Sequence, residues 1–508
     1  MFDAPLYKRV FHLTVMVLTA MLLCRLTNGY GIIAIAAVGA FYALRGDAGI
    51  SLFIYLLLPM ISLVNPLILP RPPLIAAVSR LTSLAIVVAL ILGGAKRKGT
   101  EQLPLGHIFL YLIIALISSF QGYFPLISYF KILNFAAFIL GLYIGTRNIN
   151  QNKEDIAFLR AAFLSIAIVI VWGSLAVLPF PAIAYYTSAR STIAAEGLEA
   201  AEAMMAERDG SNFFSGITVH SQFLGPCLAC VGGWVACDML FIERRLRLLH
   251  LLLLAPIPIM IAMTRSRIGL LTFCMLIVTL ALYCLPRIQI QEKERQRIRA
   301  MLSSFIVIFI FILIVVEARQ GTVSRLLRKT DDLAEDQRTL VEALMGSRQG
   351  VLRECIHDYR KNPLWGTGFQ VMESHPLLYQ QGRISFFSAP IEKGLLPVMV
   401  LGETGIFGMA TFLLFLFMFY HDASERGYTA TLTLFSVLLG TNMAEATFFS
   451  PSGGGGVFWM FTVCGGFLID MSLKTANAEL PPDTAKGAAP LNPFRRTRIP
   501  LGPIPKRK

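Results

Sequence analysis

Three basic residues of this chain, Arg25, Arg80 and Lys131, stand inside apolar runs. An ionisable side chain in such a run is costly to keep from water and marks a functional site by default. Two more, Arg265 and Arg267, share the short connection Thr264-Arg265-Ser266-Arg267-Ile268-Gly269. His220, Glu403 and Glu445 lie near the ends of other apolar runs. Guanidinium groups bind phosphate oxygens through two parallel hydrogen bonds. They also stabilise a diphosphate leaving group as its charge develops. A nearby carboxylate or imidazole can accept a proton from a sugar hydroxyl. Each residue alone has a plainer account. A long basic side chain at the end of a span snorkels to the interface, an arginine in a loop is ordinary, and a lone histidine more often serves structure. As a set they suit a pyrophosphate on an anionic substrate held in a membrane.

The elements that must position them are membrane helices. The 508 residues are 55% hydrophobic and 15% charged, with a mean hydropathy of +0.64. A soluble domain carries about a quarter charged residues. Fourteen apolar stretches can be marked: 10–27, 30–44, 49–69, 74–94, 105–124, 126–146, 156–179, 216–241, 247–264, 267–285, 300–317, 394–421, 428–447 and 453–473. Many approach the roughly 20 residues needed to cross a bilayer core. The expected fold is an all-α polytopic membrane protein of about 14 transmembrane helices.

Charge gives the expected orientation. With the N-terminus inside, Arg45, Lys96-Arg97-Lys98, Arg147, Lys153 and Arg244-Arg245 fall on the inner side, as does the run Arg287 to Arg299 with five basic and two acidic residues. The connection 180–215 falls outside and carries Glu196, Glu199, Glu202, Glu207 and Asp209 against Arg190 and Arg208. This is the positive-inside pattern. It accounts for the net charge of +14 without nucleic acid. Both termini are expected in the cytoplasm. Arg25, Arg80, Lys131, Arg265, Arg267 and His220 then share the outer side.

The expected organisation is eleven helices in 1–317, an outer helical segment at 318–393, three helices in 394–473 and a disordered basic cytoplasmic tail at 474–508. Residues 194–208 are rich in Ala, Glu and Met and suit a short helix. Ser347–Lys361 reads as an amphipathic helix with Val351, Leu352, Cys355, Ile356 and Tyr359 on one face. Asn362-Pro363 ends it, and Gly366 and Gly368 permit a tight turn. This segment is expected to cap the bundle or to act as a lid over a substrate cleft. Lys8 and Arg9 precede an apolar run with no small-residue cleavage site after it, so the first span is expected to stay as an anchor. Seven of the eight cysteines lie in apolar runs. Cys227 and Cys230 form a C-x-x-C inside a span, with no second pair nearby, so no metal or redox site is expected.

Three patches give the chain a family resemblance. They are Thr264-Arg265-Ser266-Arg267-Ile268-Gly269, then Gly346-Ser347-Arg348 leading to Asn362-Pro363-Leu364-Trp365-Gly366-Thr367-Gly368-Phe369, and then Gly402-Glu403-Thr404-Gly405-Ile406-Phe407-Gly408. In order and spacing these resemble the O-antigen ligase and O-antigen polymerase-like membrane proteins of bacteria, over roughly the C-terminal half. The resemblance implies a GT-C-like helical membrane glycosyltransferase of the inner membrane, with a large periplasmic loop before the last three spans. It implies no cofactor and no essential metal. The implied substrate is a glycan on undecaprenyl diphosphate. The implied diphosphate-binding set is Arg265, Arg267, Arg348, Lys393, Arg80 and Lys131, and the implied partners are membrane lipid, a chain-length regulator and other polysaccharide assembly proteins.

One departure bears on function. The ligases carry a histidine about ten residues before the glutamate of the third patch. Here that stretch reads Ile391-Glu392-Lys393-Gly394-Leu395-Leu396-Pro397, and His375 is too far upstream. This favours an exopolysaccharide or O-antigen polymerase over a ligase, with Arg265 and Arg267 in the catalytic site and Glu392, Glu403 or His220 as the proton acceptor. A lipid-linked oligosaccharide flippase is the alternative of another class. Transporters built from repeats mostly have short loops and paired halves, which the 76-residue segment 318–393 does not fit.

Overall fold

The computed structural model describes residues 4–70, 75–94, 101–149, 153–186, 213–244, 247–280, 349–371, 395–443, 447–451 and 453–478. The expectations for 194–208 and 300–317, and those resting on Arg348, Glu392, Lys393 and Glu445, lie outside them. Within them the chain is helical. The helices are α1 (Ala4–Leu26), α2 (Gly31–Arg45), α3 (Ala48–Leu63), α4 (Ile75–Gly94), α5 (Ile108–Phe120), α6 (Pro125–Ile149) and α7 (Lys153–Ala176). Then come α8 (Ser221–Cys237), α9 (Leu248–Leu254), α10 (Ile257–Thr264), α11 (Arg267–Thr279), α12 (Gln349–Lys361), α13 (Leu396–Glu425), α14 (Thr429–Thr441), α15 (Gly454–Trp459) and α16 (Gly465–Ala478). A π-helical turn, Asp238–Glu243, prolongs α8, and another, Met460–Cys464, joins α15 to α16. Among the described residues six stretches are long and apolar enough to cross a membrane, and seven shorter apolar helices accompany them. The protein is therefore a multi-pass membrane protein.

Burial sorts the helices into centre and rim. In Ser221–Glu243 94% of the apolar window is buried, against 22% in Leu6–Leu26. The central helix is rich in small residues, and these let backbones approach. A Cβ on Gly269 of α11 would stand 2.6 Å from the backbone of Gly225 in α8. At the rim, Phe11, Leu22, Leu92, Phe120, Leu126 and Phe417 are exposed, as expected of side chains that face lipid.

Hydrogen bonds sort the connections into two ends. At one end Asn65 N–H donates to the Ile217 carbonyl (2.7 Å), Phe214 to Met263 (3.3 Å), Tyr123 to Thr367 (3.1 Å) and Leu396 to Asn442 (3.2 Å). All these connections fall outside in the charge count. This is the motif end, because all three patches lie at it and the second and third are joined there. At the opposite end Arg160 of α7 makes two hydrogen bonds to Asp238 (2.7 and 3.0 Å). Asp238 also faces His250 Nε2 at 2.9 Å. Glu243 pairs with both Arg160 and Arg247. Glu101 joins Lys474 and Tyr428 there.

Candidate active site at the motif end

The second and third patches form one unit. α12 ends at Lys361, where Asn362 caps the break by accepting from Trp365 N–H through Oδ1 (3.3 Å). Gly366 and Gly368 take positive φ values of +74° and +113°, which glycine adopts without a Cβ penalty. The turn so made lies along the start of α13. Thr367 N–H donates to the Gly402 carbonyl (3.2 Å) and Gly368 N–H to the Glu403 carbonyl (3.0 Å). In return Ile406 N–H donates to Pro363 (2.9 Å) and Phe407 N–H to Leu364 (3.3 Å).

The return bonds are possible because α13 breaks at Gly405, with φ +64° and ψ −162°. Backbone groups of a helix are normally used within it, and the break turns some outward to meet the turn. The approach is too close for side chains. A Cβ on Gly405 would stand 2.4 Å from the Leu364 carbonyl, one on Gly366 2.3 Å from the Glu403 backbone, and one on Gly402 2.7 Å from the Cys355 oxygen.

α5 and α6 fix this unit from the other side. Ser118 Oγ donates to the Glu403 carbonyl (2.7 Å) and Ser119 Oγ accepts from Phe369 N–H (3.1 Å). Ser128 Oγ donates to the Phe369 carbonyl (3.0 Å) and Lys131 Nζ to the Gln370 carbonyl (2.7 Å). Phe369 packs among Tyr111 and Phe449. The buried side of α12 differs in part from the sequence reading. Cys355 is buried, as expected, but Ile356 is 39% exposed and Asp358 is fully buried. Asp358 stands three residues after Cys355, so it shares its face, and its Oδ1 accepts from Tyr123 OH at 2.9 Å.

The first patch is built on α10 and α11. Ser266 caps α11, its Oγ accepting from Gly269 N–H at 3.2 Å. Arg265 takes φ +49°, uncommon for a residue with a side chain and found at functional turns. It is exposed, and its guanidinium sits 5.3 Å from the centre of the Phe213 ring. Arg267 is the first residue of α11.

The other cations are distributed around this end. Arg25 donates to the Leu67 and Ile68 carbonyls at 2.8 and 2.7 Å. Lys131 is 5% exposed, so its ammonium is spent inside the packing, on the turn of the second patch. Arg80 lies over the Phe130 ring at 5.6 Å and lines a cleft that contains neither Lys131 nor Arg265. Glu403 is 0% exposed, and its carbonyl helps hold the turn. His220 caps α8, its Nδ1 accepting from Gln222 N–H at 3.1 Å. In the neutral tautomer this bond assigns, Nε2 carries the hydrogen and presents a donor. The geometry therefore suits His220 to an anion better than to proton abstraction.

Sequence reasoning missed Ser118, Ser119, Ser128 and the Gly405 break, because a serine in an apolar helix has no distinctive signature. It also passed over Arg160 and Asp238, although both are ionisable residues within marked spans, the very signal that singled out Arg80.

Residues 248–413, about a third of the chain, match the O-antigen ligase family. The segment runs from the start of α9 into α13 and contains all three patches. It is of that family, as the motifs indicated. Comparison with curated proteins and with solved structures gave no match. The chain is thus a multi-pass membrane protein with a glycan-processing enzyme segment of the O-antigen ligase type.

Proposed function

We propose that the protein polymerises undecaprenyl-diphosphate-linked oligosaccharide repeat units at the periplasmic face of the inner membrane, with both termini in the cytoplasm. The observation that carries this reading is the joining of the second and third patches at the helix-bundle end that holds Arg265, Arg267 and His220. In the reaction, a sugar hydroxyl of one repeat unit attacks the anomeric carbon of another. The bond from that carbon to the diphosphate oxygen breaks, and the oxygen leaves with the electron pair. Arg265 and Arg267, with Nε2–H of His220, meet the charge that develops there. Lys393 and Arg348 add positive potential. The hydroxyl proton passes to a carboxylate, Glu392 or Glu403. No metal and no nucleotide sugar enter this scheme.

A ligase that passes the glycan to lipid A-core is the second reading, favoured by the family that residues 248–413 match. Lys393 and Gly394, where the ligases carry histidine, favour the polymerase.

The test is Arg265→Ala and Arg267→Ala, made separately, with membrane insertion verified. Losing one transition-state donor costs roughly 100- to 1,000-fold in rate. Polymer is expected to fall by that factor in at least one variant while the lipid-linked repeat unit accumulates. Arg→Lys at the same position should rescue poorly, because lysine lacks the guanidinium fork. Normal polymer from both alanine variants would remove this turn from the active site. Cysteine labelling at Ser191 and Ser374 tests the orientation. Cytoplasmic reactivity at either sinks it.

A further inference from the structure

The reaction proposed above joins two lipid-borne molecules, and the cations of the motif end occupy two separate places. Arg265 stands on the α10–α11 turn. Arg80 stands in a cleft between α3, α4 and α6.

The cleft is graded along its length. α4 and α6 start at the motif end and α3 finishes there, so residue number gives depth. Ser62, Ser79 and Arg80 form the rim at the motif end, and Leu84, Ala137 and Phe138 form the deeper wall. The Arg80 guanidinium at the rim can hold phosphate oxygens, and the deeper wall is mainly apolar, with Tyr55, whose OH is used on the Phe138 carbonyl, Ser83 and Asn134 as its polar members. Leu81 and Leu133, on the cleft's two flanks, are 61% and 58% exposed. The cleft therefore opens sideways, to whatever surrounds the helix bundle. A membrane places hydrocarbon chains there.

We infer that this cleft is a second lipid seat. The phosphate-bearing head of a polyprenyl carrier rests on Arg80, and its chain lies along Leu84 and Ala137, separately from the carrier whose diphosphate meets Arg265. That the lipid is a polyprenyl carrier rests on the proposed reaction. The amphipathic seat itself rests on the cleft.

The test uses the full-length protein in phosphatidylcholine nanodiscs, with undecaprenyl diphosphate as the probe and bound lipids counted by native mass spectrometry. The wild type should bind two molecules. Arg80→Gln should weaken one of them about 10- to 100-fold, the range for losing a charged hydrogen bond. Ala137→Leu, which keeps the charge and fills the deeper wall, should weaken the same one. A single bound lipid unaffected by either change overturns the inference. So does inorganic pyrophosphate or phosphatidylglycerol displacing the Arg80-dependent molecule as well as unlabelled probe does. Polymer output separates the two claims. A missing second seat, with polymer lost in Arg265→Ala, removes the seat and keeps the reaction. An Arg80-dependent second lipid, with normal polymer from Arg265→Ala and Arg267→Ala, removes the reaction and keeps an amphipathic seat.

Discussion

The two ends of the helix bundle are held by different kinds of bond. At the opposite end the joints are ionic. Arg160, Asp238, Glu243 and Arg247 tie α7 to α8 and α9 through charged side chains, and His250 adds a hydrogen bond to Asp238. At the motif end the patches are joined by backbone groups, with glycines where the chains pass closest. Arg25 and Arg265 are steered there by carbonyls and an aromatic ring, which guide a cation and leave its charge in place. Charge serves cohesion at one end, while at the other Lys131 is used in the packing and Arg265 is displayed. An exposed arginine suits the proposed diphosphate chemistry, because a carboxylate partner would compete with a phosphate.

The contrast can be broken most sharply at its glycines. Gly366→Ala and Gly405→Ala each put a Cβ within 2.4 Å of the facing backbone, at positive φ. The turn must then lift off α13. A displacement of about 1 Å at a reacting centre costs roughly 100-fold. Polymer per folded molecule is expected to drop by about that much in either variant, measured on membranes with matched protein amounts. Activity near wild type in both would show that the joint does not position the chemistry.

Asp238→Asn should act in the opposite sense. It removes a fully buried charge that Arg160 and His250 share. Breaking one partner of a buried pair costs about 3–5 kcal/mol. Thermal unfolding in detergent should show the loss, while polymer per surviving folded molecule stays within about twofold. A selective loss of turnover with normal stability would mean that the opposite end takes part in the reaction.

The smallest effect is expected at Glu101. Its burial favours the neutral acid, but hydrogen bonds from Lys474 and Tyr428 outweigh this and hold its carboxyl below the ordinary carboxylate value. A depressed acid stabilises the fold above its unfolded pKa, near 4.5, and that contribution fades as pH falls through the lower folded value. The group is partly exposed, so Glu101→Gln should cost only about 0.2–1 kcal/mol at neutral pH. The gap between wild type and variant should close as the pH falls below 4.5 and through the lower folded value. A gap that widens there would reverse the sign assigned to this contact.

Hydropathy and charge made most of the fold legible. Thirteen of the fourteen marked stretches coincide with described helices, because a span must be long and apolar whatever it packs against. The site was legible in pieces. Glycine, proline and arginine carry restrictions that survive in sequence, so the three patches stood out. That two of them form one joint was not legible, since backbone hydrogen bonds leave no side-chain trace. Lys131 shows the limit from the other side. Its type suggested a substrate cation, and its ammonium is spent on the Gln370 carbonyl. A residue's type tells what it can bind, and only the surrounding packing tells what it does bind.

The joint between the turn and α13 also bears on how such a chain can diverge. Main-chain pairing is indifferent to what the paired residues carry outward. Leu364 and Ile406, whose side chains are exposed, can therefore drift to suit new glycans without loosening the joint. The glycines at 366, 402 and 405 have no such latitude. Among descendants of this chain, selection should hold the three glycines nearly fixed while their neighbours turn over, so that one skeleton serves many sugars.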